Sequence, residues 1–410
     1  MAGQAHPRVD VELTMSKPDE QAGVDAAVAT LLAAADPKGD PVAFLSAQYD
    51  AGLAWVSFPV GTGGLGVSPQ WQKHVNTRLS AAGAPSGFAR NPLGYGMGGP
   101  TVLAHGTPEQ QQRFLRPLFT GEEIWCQLFS EPGAGSDLAN VATRARKDGE
   151  DWLVEGQKVW TSWGHVARWG MLLARTDPDV AKHRGLTYYL CDMHADGVEV
   201  RPLRQMTGNA EFNEVYLTDV RLADDLRLGE VGAGWAVAMT TLSNERYMLS
   251  EGLSAEPAAA RAIELWKGRA DKSSPEAVVL RDRVVDLWLK VQVNRLTIAR
   301  GDAEREAGVA GPQGSVAKIQ TGKLNKAATE LCVDLLGEEG LLFGSYEAVE
   351  QKLDHHEYDT PMRAYLRARA NTIEGGTSEI LHNILGERVL GLPPEARADK
   401  DLPWSKSARS

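Results

Sequence analysis

Apolar residues change their spacing twice along this 410-residue chain, and few architectures accommodate such a pattern. From about residue 22 to 122 they recur at helical intervals, in AGVDAAVATLLAAA, PVAFLSAQYDAGL and PEQQQRFLRPLF, and Pro108 behind Thr107 marks a helix start. From 123 to 228 short runs of β-branched and aromatic residues take over, among them DWLVEGQKVWTS, WGMLLART, GLTYYLCDM and FNEVYLTDVRL, punctuated by Asp-Gly turns. From 229 to 392 helical spacing returns in longer pieces such as AVVLRDRVVDLWLKVQVNRLTIAR, long enough for a bundle. The expected fold class is α+β: an N-terminal α-helical domain, a middle β-sandwich or barrel-like domain and a C-terminal four-helix bundle, with tails over 1–21 and 393–410. A chain of this length exceeds the size of one hydrophobic core.

Several function classes fall away on composition. The net charge of -11 argues against a nucleic-acid binder, because phosphate backbones need basic surfaces. Cys126, Cys191 and Cys332 are widely spaced and odd in number, so neither a structural metal site nor a disulfide framework is expected. That usage fits a reducing cytoplasm. The N-terminus has no apolar run behind a basic start, and no stretch is long and apolar enough for a membrane span. The string GTGGLG at 61–66 invites a dinucleotide-binding reading, but Ser68-Pro69 follows it and its surroundings look helical, so a structural loop is expected. A hydrolase lacks support, with no GxSxG nucleophile context.

Four strings then stand in order: WCQLFSEPGAGSDLANVATRA (125–145), GQKVWTSWGHVARW (156–169), FNEVYLTDVRL (212–222) and GERVLGLP (386–393). Together they resemble the acyl-CoA dehydrogenase family, whose helical, β, helical domain plan the chain also follows. The resemblance implies FAD as cofactor, an acyl-CoA thioester as substrate and an electron-transfer flavoprotein as acceptor. It places Phe129 and Ser130 along the isoalloxazine, with Gly135 and Ser136 in the same compact turn. Ser136 would serve both the flavin and the mouth of the pantetheine channel. Trp160 would pack on the ring and Ser162 approach its N5 edge, with Thr377 and Glu379 near the cofactor. Donors there suit a ring that becomes electron-rich on accepting hydride. Taken alone, Trp160 reads as a core aromatic and Thr377 as a helix N-cap.

Desaturation requires removal of the proton α to the thioester while hydride leaves the β-carbon. A carboxylate serves as base if a dry pocket raises its pKa. The family places its base at one of two positions. At the first, NTIEGGTSEI puts Gly375 where the base would stand and Glu374 one residue too early. At the second, TTLSNERYML puts Glu245 before Arg246, and Leu242, Glu245 and Leu249 share one helical face. Glu245 is thus the expected base, against an ordinary ion pair with Arg246. Arg246 is expected to orient it or meet the ligand. Gly375 is expected to give a backbone N–H to the thioester carbonyl.

Two family features are missing. The region LWKGRADKSSPEAVVL carries no Arg-x-x-Phe-Gly motif, and a Gly-Gly pair is replaced in LLGEEGLL (335–342). Two acids beside a pyrophosphate would repel it. The alternatives are a homotetramer or a heterotetramer with a related chain, as in relatives acting on sterol side-chain thioesters. A flavin oxidase or monooxygenase on the same scaffold is the rival chemistry, and Glu245 speaks against it.

Overall fold

The computed structural model describes residues 17–252, 255–306, 311, 313–344, 360–394 and 402–407, which divide into two compact units, one up to Ser86 and one from Gly87. The first unit holds α1 (Lys17–Ala34), α2 (Pro41–Asp50) and α3 (Trp71–Ala81). Their apolar faces meet in a core that includes Val24, Val28, Leu31, Phe44, Leu53, Val75 and Leu79. Asp40 caps α2 through the Ala43 N–H at 2.7 Å, and Pro41 occupies the first helical position. The GTGGLG string is a packing loop within this unit. A Cβ on Gly64 would lie 2.0 Å from the Phe58 carbonyl oxygen, and Gly63, at φ 87°, faces the Tyr49 ring. Among the described residues no strand precedes the string, so the phosphate-cradling geometry is not built.

The second unit opens with α4 (Gly87–Arg90), a π-helical turn over Gly94–Gly98, α5 (Gly99–His105) and α6 (Pro108–Thr120). Thr107 and Gln110 form a reciprocal capping box at the start of α6, as Pro108 behind Thr107 leads one to expect. Eight strands follow: β1 (Trp125–Leu128), β2 (Arg144–Asp148), β3 (Asp151–Ser162), β4 (Trp169–Arg175), β5 (Leu186–Asp192), β6 (Val198–Leu203), β7 (Phe212–Ala223) and β8 (Arg227–Leu228). They pair in the order β6-β7-β3-β2-β4-β5-β8, with β1 parallel to β4. Residues from opposite ends of that order, such as Val215 and Leu217 of β7 and Tyr189 and Cys191 of β5, share one core. The sheet therefore wraps around its own apolar face, as a barrel-like domain does.

Helices return in α7 (Gly234–Gly252), α8 (Glu256–Gly268), α9 (Pro275–Glu306), α10 (Gln313–Leu336), α11 (Pro361–Ala368) and α12 (Ser378–Ile384). Helices α8, α9 and α10 bury Ala259, Ala262, Leu280, Val284, Leu287, Leu324, Ala328 and Leu331 in one seam. The helical region expected over 22–122 is present as α1 to α6, and the boundary between the two compact units falls inside it. Its second half is tied into the later elements: Thr101 Oγ1 meets Thr241 Oγ1 at 3.0 Å, His105 Nε2 meets Thr240 Oγ1 at 2.8 Å, and Gln110 Nε2 donates to the carbonyls of Asp225 and Arg227.

The expected polar tail also contains a docked piece. Over 402–407, Trp404 is buried, its Nε1 donates to Asn140 Oδ1 at 2.8 Å, and its ring lies under the Arg175 guanidinium at 4.3 Å. An aromatic with a partner for its N–H and a cation for its face is worth ordering a short segment. The three cysteines are free and buried. Among the described residues no helix is long and apolar enough to cross a membrane.

Candidate active site

The site is assembled from the end of β1, a bulge in β3, the middle of α7 and the turn before α12. Behind β1 the chain turns at Ser130-Glu131-Pro132, and a buried lysine fixes that turn. Lys158 Nζ, fully inaccessible, donates to Glu131 Oε1 at 2.8 Å, to the Phe129 carbonyl at 3.0 Å and to the Leu173 carbonyl at 2.8 Å. The Glu131 carboxylate also accepts the N–H groups of Ala142 and Thr143. Burial alone would raise the Glu131 pKa, but the Lys158 charge and these donors hold it below the ordinary carboxylate range. The Phe129 ring is buried edge-on to Tyr188, with centroids 5.8 Å apart. Gly135 and Ser136 are exposed, and a Cβ on Gly135 would meet nothing within 4 Å.

Opposite this turn, the β3–β7 register slips between Lys158 and Thr161. The Val159 N–H leaves the ladder to reach the Ser130 carbonyl at 2.9 Å. Trp160 and Trp163 take φ of 61° and 59°, a left-handed conformation costing a non-glycine residue about 1–3 kcal/mol. Trp160 is 57% exposed and meets the Phe212 ring edge-on, with centroids 5.9 Å apart. Ser162 pairs with Phe212 in the ladder. An indole held in the open by a strained bulge is a face prepared for a flat partner. Beside it in the β3–β7 ladder, Thr161 Oγ1 and Asn213 Oδ1 are buried without a hydrogen-bond partner among the described residues. These unmet polar atoms and the exposed indole fit a flavin's ring and its polar edge.

Glu245 lies half-buried on α7. Its carboxyl is lifted above the ordinary range, first by desolvation, then by nearby Glu374; Gln127, Arg246 and Lys318 pull it back down. Gln127 of β1 approaches it without forming a well-made hydrogen bond, since Gln127 Nε2 is buried and has no partner by geometry among the described residues. Arg246 donates to Ser243 Oγ at 3.1 Å, and burial lowers its own pKa. The side chain of Leu249 lies outside the described residues; Leu242 is half-buried.

Glu374 is held elsewhere. Arg367 grips both its oxygens at 3.1 and 2.8 Å, and Asn371 Nδ2 donates to it at 2.7 Å. The turn continues through Gly375 at φ 64° and Gly376 at φ 94°, which only glycine adopts freely. Lys318 of α10, 2% exposed, donates to the Gly376 carbonyl at 2.6 Å. Thr377 caps α12 through the Ile380 N–H, and Glu379 is exposed in the first turn of that helix.

Glu245, the Glu374–Gly376 turn, Gln127 and Lys318 therefore form one electrostatic neighbourhood. Ser130 and the Trp160 bulge are joined by a direct backbone bond. Sequence reasoning missed Gln127, Lys158 and Lys318. The faint signal for both lysines was apolar flanks: Val159 beside one, and Ala317 and Ile319 around the other.

The chain thus runs helical, β, helical, with a desolvated carboxylate on the first long helix after the sheet. Family models agree along its length. The acyl-CoA dehydrogenase N-terminal domain matches residues 21–122, the middle domain 126–220 and the C-terminal domain 232–390. Acyl-CoA dehydrogenase IpdE1 of Mycobacterium tuberculosis is 39% identical over 352 residues, covering 85% of this chain and 86% of that protein. The ChsE4-ChsE5 complex from Mycobacterium tuberculosis supplies a similar solved chain, 27% identical, with TM-score 0.69, covering 93% of this chain and 100% of that one. A second, from the Tcur3481-Tcur3483 steroid ACAD, is 22% identical at TM-score 0.69 over 93% and 99%, and shows the fold alone. The chain belongs to the acyl-CoA dehydrogenase family and is an FAD-dependent oxidoreductase.

Proposed function

We propose that this acyl-CoA dehydrogenase desaturates its thioester between Cα and Cβ to the trans-2-enoyl-CoA, with Glu245 as the base. Bound FAD supplies the two-electron acceptor for the hydride leaving Cβ. The Glu245 carboxylate takes the α-proton, and the electron pair of that C–H bond becomes the new double bond. A backbone N–H at Gly375 offers the thioester carbonyl a donor that strengthens as enolate charge develops. Ser130, Ser136, Ser162 and the Trp160 face are the residues to hold the cofactor, and an electron-transfer flavoprotein is the proposed final acceptor.

The observation that carries this reading is the contrast between two carboxylates. Glu374 has both oxygens committed to Arg367 and Asn371, whereas Glu245 is desolvated with its pKa raised. Anaerobic flavin bleaching by a panel of acyl-CoAs tests it. Glu245→Gln should lose bleaching and Glu374→Gln should keep it. The reverse would place the base at residue 374, and fast oxygen uptake without an added acceptor would favour an oxidase.

A second reading concerns assembly. Val285, Leu289, Val293 and Leu296 are exposed on one face of α9 at spacings of four, four and three. Glu338 and Glu339 are exposed in the 3-10 turn after α10. An apolar stripe suits a neighbouring subunit, and the two acids disfavour an identical neighbour whose FAD pyrophosphate would face them. A heterotetramer with a related chain answers both. Native mass spectrometry giving a homotetramer with one FAD per chain would remove that reading.

A further inference from the structure

We propose that Lys318 is a positioning residue of this site: its ammonium pins the Gly375–Gly376 turn through the Gly376 carbonyl and sets a positive charge beside the Glu245 carboxylate. The proposal rests on Glu245 being the base. Lys318 lies on α10 between Ala317 and Ile319, both buried, so α10 packing alone would be served equally by methionine. An ammonium withdrawn from water needs compensation. Here that compensation is the 2.6 Å bond to Gly376 and the fields of Glu374, Glu245 and Glu379.

The turn itself explains the need. Two consecutive glycines at positive φ have no side chains to anchor them. The segment is fastened at its start by Glu374 on Arg367, at its end by the Thr377 cap, and in the middle by Lys318. Losing the middle point frees the backbone that carries the Gly375 N–H.

The charge matters separately. Glu374 already shares its charge with Arg367, and Glu379 is exposed and screened. The Lys318 charge is felt first by Glu374 and next by the desolvated Glu245. Glu245 is faced by Gln127 from β1, Arg246 from its own helix, Glu374 from the turn and Lys318 from α10. Desolvation and Glu374 oppose its ionised form; Lys318 and Arg246 support it. Removing the Lys318 charge therefore shifts Glu245 towards its protonated form.

The test is the titration midpoint of Glu245, read without turnover. Difference infrared spectra of holoenzyme, parent against Glu245→Gln, isolate its carboxylic C=O band across pH. Lys318→Met and Lys318→Gln should each raise the midpoint, while Lys318→Arg stays near the parent. Lys318→Gln retains an N–H donor, so it reports on charge even where the methionine variant fails to fold. The acid limb of the kcat profile should move by the same amount. An unmoved midpoint in Lys318→Gln, beside an inactive Glu245→Gln, overturns the Lys318 proposal alone. A Glu245→Gln variant that still bleaches overturns the base reading, and this proposal with it.

Discussion

Replacing Lys158 with methionine probes the clamp under the flavin-facing turn. The substitution keeps most of the side-chain volume and removes three hydrogen bonds to Glu131, Phe129 and Leu173. Glu131 is left buried and charged, with only the Ala142 and Thr143 N–H groups. Breaking a buried pair by deleting one partner costs about 3–5 kcal/mol. We expect a loss of about 4 kcal/mol in urea unfolding at neutral pH, with the urea slope unchanged. The sign with pH follows from Glu131. Its folded pKa is depressed, so its contribution is present above the ordinary carboxylate range and lost as pH falls through the folded value. The deficit of the variant should accordingly be largest near neutrality and shrink in acid, where Glu131 is protonated in either protein. Combining Lys158→Met with Glu131→Gln should cost less than the sum of the two by about 1–3 kcal/mol. A single-variant loss under about 1 kcal/mol, or strict additivity, would refute the reasoning.

Other expectations follow from the same contacts. Thr377→Ala deletes the cap on Ile380 and should cost about 1 kcal/mol by thermal unfolding, with a smaller change for Thr377→Ser. Trp404→Ala should cost about 3 kcal/mol and open the 402–407 segment to proteolysis, since its burial, its bond to Asn140 and its Arg175 contact vanish together. The rate of anaerobic bleaching should rise with pH through the elevated pKa of Glu245, because only the ionised carboxylate takes a proton. Glu245→Gln should raise the melting temperature at pH values above the elevated pKa of Glu245, because the fold no longer holds a desolvated charge.

The helix and strand plan was legible because period-2 and period-3.6 patterns are written in side-chain identity. The α6 start could be read from Thr107 and Pro108. The ties of Thr101 and His105 to α7 were not legible, because no local pattern announces them. The docking of Trp404 was hidden in an otherwise polar segment. At the site, Glu245 stood out by its apolar helical face and by the register of Glu374 beside the two glycines. The positive φ of Trp160 ran against the propensity of an aromatic residue, and propensity is what sequence reading uses. Lys158 and Lys318 were missed for a related reason: lysine ordinarily marks the surface, and only the fold brings their acceptors together.

The central claim is most directly tested by exchange of the thioester's α-hydrogen into D2O, followed by mass spectrometry in the absence of any electron acceptor. This reads proton removal apart from hydride transfer. Exchange catalysed by the parent and by Glu374→Gln, and abolished in Glu245→Gln with FAD still bound, is the predicted result. Exchange that persists in Glu245→Gln and disappears in Glu374→Gln would contradict the account.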